Sequence, residues 1–278
     1  MTHTSSNDGD RDRAAAELRA QASALADCAR CRLSEGRTQV VFGVGSASAD
    51  LMFVGEGPGF HEDRQGEPFV GQAGRLLTEL LGSIGLRRED VYIANVVKCR
   101  PPENRDPLPD EIAACTPNLM RQIQTIQPRV ICTLGRFATR LVAETDAGIT
   151  SIRGRAKPMH VAGIPVVVLP VFHPAAALYT PANRSLLEED FLKVRRLLDV
   201  GETALSRGEV AGAGPLTERS ITPAPGEPAS TEPAPTANDA ADTQTAPDAA
   251  AESDRPGDTD LPRSDVMRSG SSGQLHLW

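Results

Sequence analysis

LMFVGE (51–56) is apolar without alternation as far as Val54, then breaks at Gly55-Glu56. A strand with one solvated face alternates apolar and polar residues, whereas a strand buried on both faces does not. Three further stretches share that character: VYIANVVKC (91–99), RVICTLG (129–135) and PVVVLPVFH (165–173). Each precedes a segment with helical spacing. After the first comes a helix over about 71–84, with Leu76, Leu77, Leu80, Leu81 and Ile84 on one face. After the second comes PDEIAACTPNLMRQIQTI (109–126), where Pro109 and the acids behind it suit a helix start. RFATRLVAET follows the third, and a helix near 186–199 follows the fourth. An Ala-rich helical segment, 11–27, precedes them all. Strands of this kind alternating with helices predict an α/β fold, with three layers α/β/α around a central four-stranded, mostly parallel sheet.

In such sheets ligands bind beyond the carboxyl ends of the strands. Those ends here are Gly55-Glu56, Asn95 to Cys99, Gly135-Arg136 and His173-Pro174. The first opens into GEGPGFHEDRQGEPFVGQAG (55–74), a glycine-rich loop leading to a helix. That pattern often cradles phosphate, but Glu56, Glu62, Asp63 and Glu67 stand here against one Arg64. Four carboxylates repel an anion, so the loop must hold something else.

The chain has 278 residues and a net charge of −8. All of that excess falls in residues 201–278, and residues 1–200 are balanced. Acidity therefore describes the tail and does not exclude nucleic acid as a partner of the domain. We expect a flexible N-terminus (1–10), a folded domain (11–200), a disordered acidic Ala/Pro-rich tail (201–272) and a short terminal peptide (273–278). No stretch approaches the ~20 apolar residues of a membrane helix. MTHTSSNDGDRDR lacks the apolar core of a secretory signal, so a cytoplasmic, nucleoid-associated location is expected.

Five cysteines stand at 28, 31, 99, 115 and 132. Cys28-x2-Cys31 suits two metal ligands or two buried thiols at a helix end. Cys99 and Cys115 flank a strand end and its helix, so four thiolates could converge. Their separation fits zinc poorly, and a [4Fe–4S] cluster accepts irregular spacing. Cys132 lies inside an apolar strand and reads as core.

Several motifs occur in one order: Cys28-x2-Cys31, RLSEGRTQVVFG (32–43), GEGPG (55–59), GEPFVGQAG (66–74), NVVKCRPPENRDPLP (95–109), Cys115, TLGR (133–136) and HPAA (173–176). Together they resemble the family 4, iron–sulfur uracil-DNA glycosylases over roughly residues 25–199. The resemblance implies a uracil-DNA glycosylase-like fold and a structural [4Fe–4S] cluster on Cys28, Cys31, Cys99 and Cys115. The implied activity is hydrolysis of the N-glycosidic bond of deoxyuridine in single- or double-stranded DNA, the first step of base excision repair. The alternative is an iron–sulfur DNA-damage binding module with little or no catalysis.

On this reading the loop holds a neutral, flat base. Gly55, Glu56 and Gly57 offer main-chain groups to its edge, and Phe69 stacks on its face. Asn95, donor and acceptor at once, matches uracil N3–H and O4, and cytosine inverts that pattern. His173 donates to O2 as uracil leaves with negative charge. Glu56 orients a water or faces the sugar. The resemblance departs at Phe60-His61, where relatives carry an acid, and His61 is a candidate to replace its contact with uracil. A covalent-trapping branch carries a nucleophilic histidine in an inserted loop. No His stands between 62 and 159 here, so turnover is expected.

Lys98, Arg100, Arg105, Arg136, Arg153, Arg155 and Lys157 are candidates for phosphate contacts, with Arg100, Arg136 and Arg155 foremost. Leu178 or Tyr179 is a candidate wedge in the base stack. GQLHLW (273–278) resembles the peptide by which bacterial repair proteins dock on the sliding clamp, through Gln274, Leu275, Leu277 and Trp278. The protein is expected to act as a monomer.

Overall fold

The structure, a computed structural model, describes residues 4–200. The expectations for the acidic tail and the clamp peptide lie outside the described residues.

The elements follow in the order α1 (Thr4–Leu25), β1 (Val44–Gly45), β2 (Leu51–Gly55), α2 (Phe60–Gln65), α3 (Gln72–Ser83), β3 (Tyr92–Asn95) and α4 (Pro109–Ile126). Then come β4 (Val130–Leu134), α5 (Arg136–Val142), α6 (Ile149–Ile152), β5 (Lys157–Val161), β6 (Ile164–Val171), α7 (Ala175–Tyr179) and α8 (Ala182–Asp199). The sheet order is β1-β3-β2-β4-β6-β5. Its four inner strands are parallel, and both outer strands pair antiparallel. The sheet therefore has six strands, not the four expected. The two additions escape a hydropathy reading for different reasons. β1 is two residues long, and β5 is an edge strand exposed over most of its length, so neither forms a continuous apolar run.

Residues of β2 divide between two cores. Leu51 and Phe53 pack with Leu76, Leu80, Leu187 and Phe191 of α3 and α8. Met52 and Val54 pack with Leu119, Ile123 and Ala138 of α4 and α5. Alternate side chains of a strand point to opposite faces, so a strand covered on both sides must be apolar throughout. Phe53 and Phe191 stack with centroids 5.6 Å apart. Cys132 is fully buried in the first of these cores, as its place in the strand predicted.

The chain runs from β2 to β3 on one side and crosses to β4 on the other. Loops at the carboxyl ends of β2 and β4 thus depart in opposite directions and leave a crevice, where open α/β sheets bind ligands. α4 spans the expected residues. Pro109 sits in its first turn, and Glu111 accepts the Leu108 N–H at 2.7 Å and a two-point contact from Arg105 at 2.9 and 2.6 Å.

Candidate active site

Gly55 ends β2 with two side chains pressed against it. A Cβ there would lie 2.4 Å from Asn95 Oδ1 and 2.6 Å from the Phe69 ring. Only glycine admits both. Asn95, the last residue of β3, is 1% exposed, and its Oδ1 has no hydrogen-bond partner among the described residues. Buried acceptors are paired in the great majority of cases, so an orphan beside a crevice marks a place for a ligand donor.

Phe69 sits in the left-handed region at φ 55, a conformation costly for an aromatic residue and concentrated at functional sites. Two contacts enforce it. A Cβ on Gly74 would fall 1.8 Å from the Phe69 carbonyl oxygen, so the first turn of α3 closes directly on that backbone. Glu62 of α2 accepts the N–H groups of Val70 and Gly71, both at 2.9 Å, and that of Gly59 at 3.2 Å. One carboxylate thereby joins both ends of the glycine-rich loop. The sequence reading missed Glu62, because its partners lie eight and nine residues onward in no recurring pattern.

The Phe69 ring faces His173, with centroids 5.5 Å apart and planes inclined by 31°. His173 follows β6. Its Nδ1 accepts the Ala175 N–H at 3.2 Å, which assigns the ring proton of the neutral imidazole to Nε2. Burial pulls its pKa down to about 4, although the Glu62 charge opposes that shift. At neutral pH it is an uncharged donor.

Glu56, half-buried just past β2, has its pKa raised to about 7, first by burial and then by the charge of Asp106. Arg136 opposes the rise and is itself paired with Asp106 at 2.5 Å. Gly57 lies where a Cβ would meet Val97 at 2.7 Å. Gly55, Phe69, Asn95 and His173 are thus brought into one cluster with Glu56 at its edge. His61 instead stands exposed on α2, edge-on to Phe60 at 5.5 Å.

Residues 42–198 match the family described as Uracil DNA glycosylase superfamily. Over 175 residues the chain is 50% identical to a type-4 uracil-DNA glycosylase of Sulfurisphaera tokodaii, covering 61% of this chain and 80% of that one. It is 49% identical to the one of Archaeoglobus fulgidus, over 62% of this chain and 89% of that one. For the one of Thermotoga maritima the identity is 47%, with the same two shares. The chain belongs to the type-4 uracil-DNA glycosylases.

In this type-4 chain, four cysteines from three segments meet. Cys28, Cys31, Cys99 and Cys115 border one small pocket, between the end of α1, the loop after β3 and α4. Among the described residues no three His, Cys, Asp or Glu side chains are grouped to hold a single metal ion. Nitrogen donors point at the sulfurs: Arg30 at Cys28 (3.3 Å), Arg37 at Cys99 (3.5 Å), and the Lys98 N–H at Cys115 (3.3 Å). Burial pushes the Cys99 thiol up to about 11 and raises that of Cys31. As thiolates these two require a compensating cation, which a bound metal centre supplies. The donor set fits a cluster held by four thiolates.

The cations suggested for DNA divide into two groups. Lys98 is 1% exposed and cannot reach a phosphate, which corrects its assignment. Its Nζ donates to the Asn95 carbonyl at 2.9 Å and to Gln122 Oε1 at 2.6 Å, and Gln122 donates in turn to Phe42 O and Tyr92 OH. Arg105 is occupied by Glu111, and Arg153 by Asp190 at 2.8 Å. Arg100, Arg136 and Arg155 reach the surface, as do Leu178 and Tyr179 on α7, directly after His173. No helix among the described residues is long and apolar enough to cross a membrane.

Proposed function

We propose that this chain hydrolyses the N-glycosidic bond of deoxyuridine in DNA, releasing uracil and leaving an abasic site as the first step of base excision repair. The observation that carries the reading is the orphaned, buried Oδ1 of Asn95 against Gly55, where the Phe69 ring also packs and in turn faces His173.

A deoxyuridine swung out of the stack places its ring on Phe69. Asn95 Oδ1 accepts from N3–H while its amide nitrogen donates to O4. Cytosine presents an acceptor at N3 and a donor at N4, so both contacts turn repulsive and the site rejects it. As the glycosidic bond breaks, charge gathers on O2, and the His173 Nε2–H lies ready to receive it. A neutral donor already oriented by Ala175 needs no reorganisation at that moment. Glu56 takes the part of orienting water toward C1′.

Uracil release measured from about pH 5 to 9 tests the role of Glu56. Only its carboxylate form accepts a proton from water, and its pKa is raised to about 7. Release is expected to climb roughly tenfold per unit below that value and to level above it. Glu56→Gln should lower the plateau and remove the break. A flat wild-type profile, or the same break in the variant, would refute the assignment.

We further propose that Cys28, Cys31, Cys99 and Cys115 hold a [4Fe–4S] cluster that ties α1, the loop carrying Asn95 toward Cys99, and α4 into one unit. Bound, it supplies cross-linking rather than chemistry. Cys99→Ser is expected to lose iron, acid-labile sulfide and visible absorption, and to melt at lower temperature. A wild type carrying zinc and no sulfide would contradict the cluster.

A further inference from the structure

An apolar ring stands at the mouth of the site and has no place in the chemistry above. Phe60, the first residue of α2, is 46% exposed. Two guanidiniums lie over it, Arg100 at 5.2 Å and Arg64 at 5.6 Å from the ring centroid. Neither makes an ion pair among the described residues. Arg100 spends only its Nε, on Asn104 Oδ1 at 2.7 Å, and the Arg64 side chain makes no hydrogen bond there. Most neighbouring cations are taken: Arg105 by Glu111, Arg136 by Asp106, Arg153 by Asp190, and Lys98 by burial. Among the described residues Arg155 and Lys157 are unpaired too, but no aromatic ring there seats them.

We propose that Phe60, Arg64 and Arg100 form a phosphate grip, in which the exposed phenyl ring holds two guanidiniums for the backbone of the uracil-bearing strand beside the extruded nucleotide. It rests on reading the adjacent pocket as a uracil site in DNA. Three observations support it. The first is position: Phe60 follows the Gly55–Gly59 loop directly, and Arg100 adjoins Pro101, which packs 3.8 Å from where a Gly57 Cβ would stand. The pair therefore bridges the loops after β2 and β3, two walls of the site. The second is rigidity. Gly59, the residue before Phe60, donates to the same Glu62 carboxylate that holds Val70 and Gly71 next to Phe69, so the grip and the stacking ring share one anchor.

The third is chemistry. An aromatic face orients a guanidinium without neutralising it, whereas a carboxylate would cancel the charge a phosphate needs. With a guanidinium over it at each contact, the ring serves as a seat rather than a platform for a base. Arginine forks match phosphate oxygens in two-point geometry. Contacts of this kind position a duplex and carry no sequence preference, as a repair enzyme requires when the lesion occurs in any context.

The test is equilibrium binding of the full chain to duplex DNA bearing one 2′-fluoro-2′-deoxyuridine, which resists cleavage because fluorine disfavours the cationic sugar. Affinity is measured across a salt series. Phe60→Leu keeps an apolar side chain but removes the aromatic face. It is expected to bind about tenfold more weakly and to lower the steepness of log affinity against log salt by about one to two, the signature of lost phosphate contacts. Phe60→Tyr should restore both. Arg64→Ala and Arg100→Ala should each lower the slope by about one. Wild-type affinity and slope in Phe60→Leu would overturn the grip, as would a tyrosine variant no better than leucine. Uracil release by the wild type, measured alongside on ordinary deoxyuridine, separates the two failures. The expected slopes with no uracil released would sink the reading of the pocket and leave the grip standing.

Discussion

His173→Ala is expected to lower kcat for uracil release by about 10²–10³, with a much smaller change in KM. The imidazole is half-buried and neutral, with its pKa pulled down to about 4, and Nδ1 is occupied by the Ala175 N–H. Only the Nε2–H remains to donate. A neutral carbonyl gains little from that bond in the ground state, and a departing uracil anion gains much, so the loss falls on kcat. Single-turnover release at saturating duplex measures it; a loss confined to KM would contradict the assignment. Folding is linked to the same group. The ordinary value of 6.5 applies to the unfolded chain and about 4 to the folded one. As pH falls below 6.5 the unfolded state takes up the proton first, so stability drops progressively until about pH 4. His173→Ala removes that contribution and should flatten the acid limb of a melting-temperature profile.

Asn95→Ala carries the second large effect, and it concerns selectivity. The buried amide sits against Gly55 with its oxygen unpaired, in position for a donor that uracil has and cytosine lacks. Truncation removes two hydrogen bonds made with the base, and kcat/KM for deoxyuridine should fall by about 10². The greater change is in preference. A site built around buried polar groups rejects a mismatched ligand by about 10⁴ or more, and an alanine has no polar group to leave unsatisfied. The margin of uracil over cytosine should therefore collapse. Release from U:G and C:G duplexes in parallel measures it, and an intact margin in the variant would show that another group reads the base.

The parts of the fold legible in advance share one property: their burial is two-sided or periodic. β2 and β6 are apolar throughout and β4 is so but for Thr133, and α3 and α4 begin and end within a residue of expectation. The outer strands were illegible because one spans two residues and the other is mostly exposed. The strand expected over 91–99 stops at Asn95, since the residues beyond bond to the loop after β2 rather than continue the ladder: Val97 N–H donates to Glu56 O. Lys98 misled the reading for a simple reason. Lysine is rarely buried, and nothing local reveals that a glutamine on α4, Gln122, will meet it. Glu62 was hidden likewise, because its work is done on backbone N–H groups brought near by a turn. The four cysteines were visible singly, but their spacing left zinc and iron–sulfur open, and only the fold brings them to one pocket.

The central claim is that a pyrimidine swung out of DNA is read by Asn95 and released against His173. Its most direct measurement is free uracil liberated from a U:G duplex by the purified protein, with the matched C:G duplex alongside. The account predicts uracil from the first in multiple turnovers, an alkali-labile abasic strand, and no base from the second. A protein that binds the U:G duplex and liberates nothing would contradict it.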